Sequence, residues 1–485
     1  MSAFLLALYV VLVALCAVHG AHRLVLLGVY LRQRRNVATA SPLAGELPFV
    51  SVQLPVYNER DVITRLVDAV AALDWPADRL EIQLLDDSTD DTAAVAAAAV
   101  ARARARGIAV DVVRRTDRVG FKAGALAAGL SGARGSLIAV FDADFVPAPD
   151  FLRTMVPHFA GASVGMVQAA WGHLNADTSA LTRAQAVLLD GHFVIEHTAR
   201  ARGGRWFNFN GTAGIWRRDC IEAAGGWQHD TLTEDLDLSY RAQLAGWRFV
   251  YLLEYVVPAE LPESLAAFRS QQHRWAKGSV EVARKLARRI LAARAPLATR
   301  LEALAHLTAN FAWLASLALS LVLPALVLAG GKGSHVAWIF GPAFAFSTGV
   351  HILFYAVASG GRPIPVLLAT FLGIGMTVNQ AFAVFEALAG RRTAFVRTPK
   401  SGGSTGSYRV ESLGPVPFEL GLAALHLGTA ALAATEGAWG AVPFLLLFGG
   451  GFAWTGLGGL REAAIGAPRL GGPVQAPIDA PVAGK

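Results

Sequence analysis

The sequence predicts an α/β domain with a mostly parallel sheet, followed by an α-helical membrane region. Between residues 49 and 257, short apolar runs of strand length alternate with helical stretches, a pattern typical of βαβ units. Near both ends of the chain the apolar runs are instead long enough to span a bilayer. Hydrophobic residues make up 54% of the 485-residue chain, which fits a water-soluble domain combined with membrane spans.

The first apolar run, over residues 4–30, predicts a membrane anchor. No charged segment precedes it and it is long for a signal peptide, so we prefer an uncleaved anchor to a cleaved signal. Arg32, Arg34 and Arg35 follow it. Arginines of this kind flank the cytoplasmic ends of spans, so we expect the next segment to be cytoplasmic.

That next segment predicts a Rossmann-like sheet with its ligand site at one edge. Strands are predicted at 49–54, 80–85, 108–113 and 137–141, and helices at 61–73, 92–105 and 121–130. In such sheets, ligands bind beyond the carboxyl ends of the strands. The acidic clusters Asp86-Asp87-Ser88 and Asp142-Ala143-Asp144 directly follow two of these strands. We therefore expect both clusters at the ligand-binding edge.

The rest of the chain predicts an interfacial helix and further membrane helices. The arginine-rich stretch 284–300 favours an amphipathic helix in the membrane interface over an ordinary surface helix. Later span candidates are predicted at 308–329, 336–357, 365–388, 418–434 and 441–457. Thr377, Asn379 and Gln380 lie mid-way along the third candidate and are costly against lipid. We therefore expect 365–388 to be a bent or re-entrant helix pair.

The predicted organisation has seven parts. They are an anchor (1–31), an α/β domain (49–278), an interfacial helix (279–300), membrane helices (306–390), a cytoplasmic loop (391–415), a membrane hairpin (416–460) and a disordered Pro/Gly/Ala-rich tail (461–485). The net charge of +7 does not indicate nucleic-acid binding, because the basic residues lie beside apolar spans, where they contact anionic lipid. Cys16 and Cys220 form neither a disulfide framework nor a zinc site.

Asp142 and Asp144 are the candidate metal ligands. Two carboxylates in one turn can bind Mg²⁺ or Mn²⁺, which retains waters and binds substrate phosphates. Taken alone, such a pair is more often a solvated turn. Lys122 begins a predicted helix, where a cation beside the helix N-terminus suits a diphosphate. A solvated lysine is the alternative.

Two further motifs complete the predicted chemistry. Asp235, in Thr233-Glu234-Asp235, is the candidate base for an acceptor hydroxyl, with helix capping as the alternative. In the stretch Gln271-Gln272-His273-Arg274-Trp275, the arginine suits phosphate and the tryptophan suits a sugar face, although a Trp–Arg pair at a membrane interface would look alike. The loop ending at Gly211 and Thr212 is a candidate acceptor contact.

The ordered motifs together resemble the processive family 2 glycosyltransferases of the cellulose-synthase-like group, over residues 49–400. Locally they look closest to its mannan and glucomannan synthases. The resemblance implies a GT-A fold and an inverting hexosyltransferase that extends a β-linked polysaccharide from UDP-glucose or GDP-mannose. The alternative is a transferase adding one sugar to a membrane lipid, and a transporter is disfavoured because the acids lie outside the spans.

The resemblance also implies roles for individual residues. The nucleotide sugar would contact Pro55, Tyr57, Glu59, Asp86, Lys122, Asp142, Gln271, Arg274, Thr398 and Lys400, and the acceptor would contact Gly211, Thr212, Glu234 and Trp275. Thr398 and Lys400 lie in a stretch similar to the family's gating loop, with Arg397 in place of its valine. The expected partners are the donor, a glycan or lipid acceptor, membrane lipid and accessory export subunits. The expected location is a bacterial inner membrane, with the catalytic domain in the cytoplasm.

Overall fold

A computed structural model describes residues 2–42, 45–330, 336–391, 393 and 414–464 of the chain. It confirms the predicted combination of a mostly parallel sheet and apolar helices that could span a membrane. The stretch that resembles a gating loop, with Thr398 and Lys400, lies outside the described residues, as does most of the expected tail.

The sheet has seven strands in the order β3-β2-β1-β4-β6-β5-β7. The strands are β1 Val50–Val56, β2 Leu80–Asp86, β3 Ala109–Val113, β4 Leu137–Val140, β5 Val164–His173, β6 Gly214–Arg217 and β7 Arg248–Ala259. The first four run parallel, whereas β6 is antiparallel to both of its neighbours, and β5 and β7 are again parallel. The carboxyl ends of β1, β2 and β4 therefore meet at one edge.

The four predicted strands are confirmed to within a few residues at each end, and the other three were not predicted. The central strands β1, β2 and β4 are apolar and almost completely buried, as expected for a parallel sheet covered on both faces. Apolar side chains of these strands form a core with helices on each face. These buried strands therefore hold the acidic clusters in fixed positions at the edge of the sheet.

Helices flank the sheet and make up the remainder of the described chain. In chain order they are α1 Ser2–Gln33, α2 Ile63–Val70, α3 Thr92–Ala105, α4 Phe121–Gly132, α5 Phe151–Met155, α6 Ala180–Asp190, α7 Thr198–Arg202, α8 Arg218–Ala223, α9 Glu234–Leu244, α10 Leu265–Ala292, α11 Leu297–Thr308, α12 Ala312–Gly330, α13 Val336–Ala358, α14 Pro363–Gly375, α15 Thr377–Leu388, α16 Val416–Thr435 and α17 Val442–Ala464. Short 3₁₀ segments occur at Ala77–Arg79, Val156–Ala160 and Ala309–Phe311, and a π-helical segment occurs at Gly191–His197.

The interfacial helix predicted over 279–300 has different bounds in the structure. Helix α10 begins at Leu265, where the Ser264 hydroxyl caps it by accepting a hydrogen bond from Ala267, and it ends at Ala292. Pro296 accounts for the break, because proline lacks an N–H donor and forces the preceding residue out of helical conformation. Gln271 to Trp275 consequently lie in the middle of a 28-residue helix.

Among the described residues, four helices are long and apolar enough to cross a membrane: Ala3–Gln33, Leu297–Ala329, Val416–Thr435 and Val442–Ala464. Helices α14 and α15 together pass the same test and are bent by 46° at Met376, which confirms the predicted bent pair. Helix α15 packs along α10, where Asn379 Nδ2 donates to the carbonyl of Arg269 (3.1 Å). The polar residues at the bend thus contact protein instead of lipid.

Candidate active site

A single cleft at the carboxyl ends of β1 and β4 gathers most of the predicted site residues. Those that line it are Pro55, Tyr57, Glu59, Lys122, Asp142, Asp144, Gly211, Glu234, Asp235, Gln271, Arg274 and Trp275. They come from strand ends, from the N-termini of α4 and α9, and from the middle of α10. The fold therefore brings together motifs that are far apart in sequence.

Lys122 and Asp142 form an ion pair on the floor of the cleft. Lys122 Nζ lies 2.5 Å from Asp142 Oδ1 and also donates to the carbonyl of Gly211 (2.9 Å). Burial disfavours the Lys122 cation, but Asp142 and Glu234 outweigh this effect and raise its pKa. Thr212 does not line the cleft. It is fully buried, and its hydroxyl accepts a hydrogen bond from the Asp142 backbone N–H (2.9 Å).

Asp235 is a half-buried carboxylate in the first turn of α9. Burial and repulsion from Glu234 raise the pKa of Asp235 to about 7, although Lys122 and a 2.8 Å hydrogen bond from the Leu236 N–H favour its charged form. Burial also raises the pKa of Glu234. A carboxyl group with a pKa near neutrality is well suited to accept a proton from a hydroxyl.

Gly211 lies close to both Asp235 and Lys122. Its φ of +82° lies in the left-handed region, and a Cβ added there would be 3.1 Å from Asp235 Oδ2 and 3.2 Å from Lys122 Nζ. The two side chains therefore approach the glycine more closely than any larger residue would allow.

Helix α10 supplies Gln271, Arg274 and Trp275 to the cleft. Burial lowers the pKa of Arg274, while Glu234 and Asp142 act in the opposite direction and favour the cation. The ring centre of Trp275 lies 6.4 Å from that of Trp171. Helix α10 therefore contributes both a cationic and an aromatic side chain to the cleft.

The two aspartates that follow β2 have different environments. Asp86 is buried behind the cleft, where it accepts hydrogen bonds from Arg114 (2.8 Å) and from the Ser88 N–H (3.0 Å). Asp87 lines the cleft and is held by Arg115, whose Nη2 lies 2.5 Å from its Oδ2. Of this pair, only Asp87 faces the cleft directly, whereas the sequence had favoured Asp86.

Asp142 and Asp144 have the chemistry of a site for a hard divalent cation. Both line the cleft within one turn after β4. The part of the chain that the structure describes contains no group of three or more His, Cys, Asp or Glu side chains that could hold a metal by themselves. This fits a cation of the Mg²⁺ type, which takes one or two carboxylates and completes its shell with substrate phosphates and water.

Several cleft residues were not among the predicted site residues. They are Asp87, Arg118, Trp171, His173, Asn210 and Glu260. The guanidinium carbon of Arg118 lies 3.2 Å from the ring centre of Tyr57, and Arg65 binds Glu260 (2.7 Å), whose N–H donates to Asp144 (3.3 Å). Trp171 and His173 end a strand that was not predicted, so the sequence offered no position for them.

Comparison with known proteins identifies the family of one domain. A family model described as "Glycosyltransferase like family 2" matches residues 48–278, the segment that builds the sheet and the cleft. This segment is a glycosyltransferase family 2-like domain. The chain is 44% identical over 253 residues to Glucomannan 4-beta-mannosyltransferase 2 of Arabidopsis thaliana, a match that covers 51% of this chain and 47% of the relative. It is 43% identical over 244 residues to Glucomannan 4-beta-mannosyltransferase 1 of Oryza sativa subsp. japonica, covering 49% of this chain and 47% of that one.

The fold has a counterpart among solved structures. The chain is similar to the mannosyltransferase PcManGT from Pyrobaculum calidifontis in complex with GDP-Man and Mn²⁺, with a TM-score of 0.55, 23% identity, and coverage of 74% of this chain and 99% of that one. At that identity the likeness establishes the GT-A fold. The chain spans about half the length of the curated relatives it matches. These relatives are plant proteins, so the expected bacterial inner membrane has no support from them.

Proposed function

We propose that this transferase is a membrane-embedded inverting mannosyltransferase that extends a β-linked mannan or glucomannan from GDP-mannose. The observation that carries the proposal is Asp235, a cleft carboxyl whose partial burial and neighbour Glu234 raise its pKa to about 7, beside the Lys122–Asp142 pair. The names of the curated relatives, and the GDP-Man bound by the archaeal enzyme, favour this donor over UDP-glucose.

A single displacement accounts for the residues in the cleft. Asp235 takes the proton of the acceptor hydroxyl as its oxygen attacks the anomeric carbon, and the bond to the diphosphate breaks on the opposite face. Trp275 would hold the acceptor sugar, and Glu234 would hydrogen-bond to it. One carboxylate base suffices for inversion, whereas a double displacement needs a second carboxylate as the nucleophile.

The departing diphosphate would be held by cations of this chain. Lys122 and Arg274 flank the cleft next to Asp142, with Gln271 on the same helix as Arg274. A divalent ion bound by Asp142 and Asp144 would neutralise the charge that develops on the leaving group. Pro55, Tyr57 and Glu59 line the same cleft and would bind the nucleoside. Asp86 would act indirectly, by holding the turn that carries Asp87.

Contacts between α10 and α15 support coupling of the cleft to the apolar helices. Lys277 is fully buried, and its Nζ binds Glu386 (3.1 Å) and Thr393 (2.9 Å), while His273 binds the same Glu386 oxygen (3.1 Å). The helix that carries Arg274 and Trp275 is thus fixed to the bent pair. We propose that α1, the α14–α15 pair, α16 and α17 lie in the membrane together with the apolar helix Leu297–Ala329, and that the product is a polymer.

The test uses membranes that contain the protein, Mg²⁺ or Mn²⁺, and labelled GDP-mannose or UDP-glucose. The label is sorted into insoluble polymer and solvent-extractable lipid. We expect polymer from GDP-mannose, lost in Asp235→Asn and retained in Asp78→Asn, an exposed aspartate far from the cleft motifs. Label that appears only in the lipid extract would replace the polymer proposal with glycolipid synthesis. Undiminished polymer from Asp235→Asn would remove Asp235 as the base.

A further inference from the structure

We propose that Trp171, His173 and Asp190 form a second acceptor subsite, which holds the sugar that precedes the terminal acceptor residue. This inference rests on the proposed function, because it assumes that the acceptor is a glycan chain. Trp171 and His173 are two residues apart in β5, so both side chains lie on the same face of the strand, and both line the cleft.

The aromatic wall of the cleft continues from Trp275 to this strand end. The Trp171 ring centre lies 6.4 Å from that of Trp275, 5.2 Å from that of Phe145 and 5.0 Å from that of Phe193. These rings hold Trp171 in place. A sugar on Trp275 and the next sugar along the chain would therefore meet two adjacent aromatic surfaces, which suit the apolar faces of pyranose rings.

Asp190 orients the imidazole of His173. The carboxylate oxygen Asp190 Oδ1 lies 3.2 Å from His173 Nε2, so this nitrogen carries the proton and donates it in a hydrogen bond. Arg362 Nη2 lies 3.6 Å from the other oxygen, Asp190 Oδ2, which fixes the carboxylate. His173 Nδ1 then presents a lone pair, and no residue in the described ranges binds it. It can accept a hydrogen bond from a sugar hydroxyl.

The wall beside the end of β5 is preformed. Leu261 and Pro262 line the cleft there, directly after Glu260, which is held in an ion pair by Arg65 (2.7 Å). Asn175 fixes Leu261 by bonding both its N–H (2.8 Å) and its carbonyl (3.0 Å), and Gln185 donates to the carbonyl of Pro262 (2.8 Å). This wall is therefore in place before a sugar binds.

The experiment compares methyl β-mannoside with methyl β-1,4-mannobioside as acceptors, using the full chain in lipid nanodiscs with GDP-mannose. The wild type should prefer the disaccharide in kcat/KM. His173→Ala should reduce that preference about two- to tenfold, the loss expected for one neutral hydrogen bond. His158→Ala is the matched control, a partly buried histidine outside the cleft, and should retain the wild-type preference.

Asp190→Asn tests the same contact without changing side-chain shape, and guards against a folding defect in the alanine variant. It should also lower the preference for the disaccharide, because the amide can present its NH₂ group to His173 Nε2 and then no longer fixes that nitrogen as the one that carries the proton. A wild type that elongates both acceptors equally, or a preference unchanged in both variants, overturns the subsite and leaves the proposed function standing. A wild type that elongates neither acceptor overturns the proposed function and the subsite together.

Discussion

Replacing Gly211 with alanine should abolish most of the activity while leaving the fold intact. The glycine has φ +82°, and a left-handed conformation costs a non-glycine residue about 1–2 kcal/mol. The new Cβ would also lie 3.1 Å from Asp235 Oδ2 and 3.2 Å from Lys122 Nζ, which is closer than ordinary van der Waals contact. Asp235 and Lys122, the proposed base and the proposed diphosphate contact, must therefore move by a few tenths of an ångström or more.

The control variant Gly204→Ala distinguishes the effect of backbone strain from the effect of displacing neighbouring side chains. Gly204 has φ +65°, but nothing lies within 4 Å of its Cβ position. Both variants should lose about 1–2 kcal/mol of stability in thermal unfolding. Only Gly211→Ala should lose kcat/KM, by about 10- to 100-fold, since displacing reacting groups by about 1 Å can cost 100-fold. Equal activities of the two variants in a GDP-mannose transfer assay would refute the arrangement of Gly211, Lys122 and Asp235.

Three further outcomes follow from the site. A base must be ionised to act, and the pKa of Asp235 is about 7, so kcat/KM should fall about tenfold per pH unit below pH 7 and level off above it. This acidic fall in kcat/KM should be absent from the residual activity of Asp235→Asn. Arg118→Ala removes the cation stacked on a cleft tyrosine, so the KM for GDP-mannose, measured by initial rates, should rise about tenfold with a smaller change in kcat. Glu386→Gln leaves the fully buried Lys277 without its carboxylate partner and should lower the free energy of unfolding, measured in detergent, by about 2–4 kcal/mol. Glu222→Gln changes an exposed ion pair and should lower it by under about 1 kcal/mol.

The elements that the sequence predicted well are those with local signals. Strands β1, β2 and β4 are short segments rich in apolar residues, and β2 and β4 lead into acidic clusters, so both the strands and the edge location of Asp142 could be inferred. The bend at Met376 was also visible, because polar residues in an apolar helix require protein partners. The interface helix was predicted over 279–300 from its arginines, whereas α10 begins at Leu265 and ends at Ala292, ahead of Pro296.

Other parts of the site depend on tertiary contacts, which local sequence patterns do not predict. Strand β6 has only four residues, and it is inserted between β4 and β5 against the order of the chain. Trp171 and His173 enter the cleft only because β5 pairs with β7 at the edge of the sheet. The closeness of Gly211 to Lys122 and Asp235 could not be predicted either, because these residues are distant in sequence.

The most direct test of the central claim is the anomeric configuration of the first product. The donor carries mannose in α-linkage to GDP, so one displacement assisted by Asp235 must produce a β-linkage. Transfer to methyl β-mannoside, followed by NMR of the new anomeric carbon and digestion with β- and α-mannosidases, would decide it. We predict a product that only the β-mannosidase cleaves. An α-linked product would contradict the single-displacement mechanism and the assignment of Asp235 as its base.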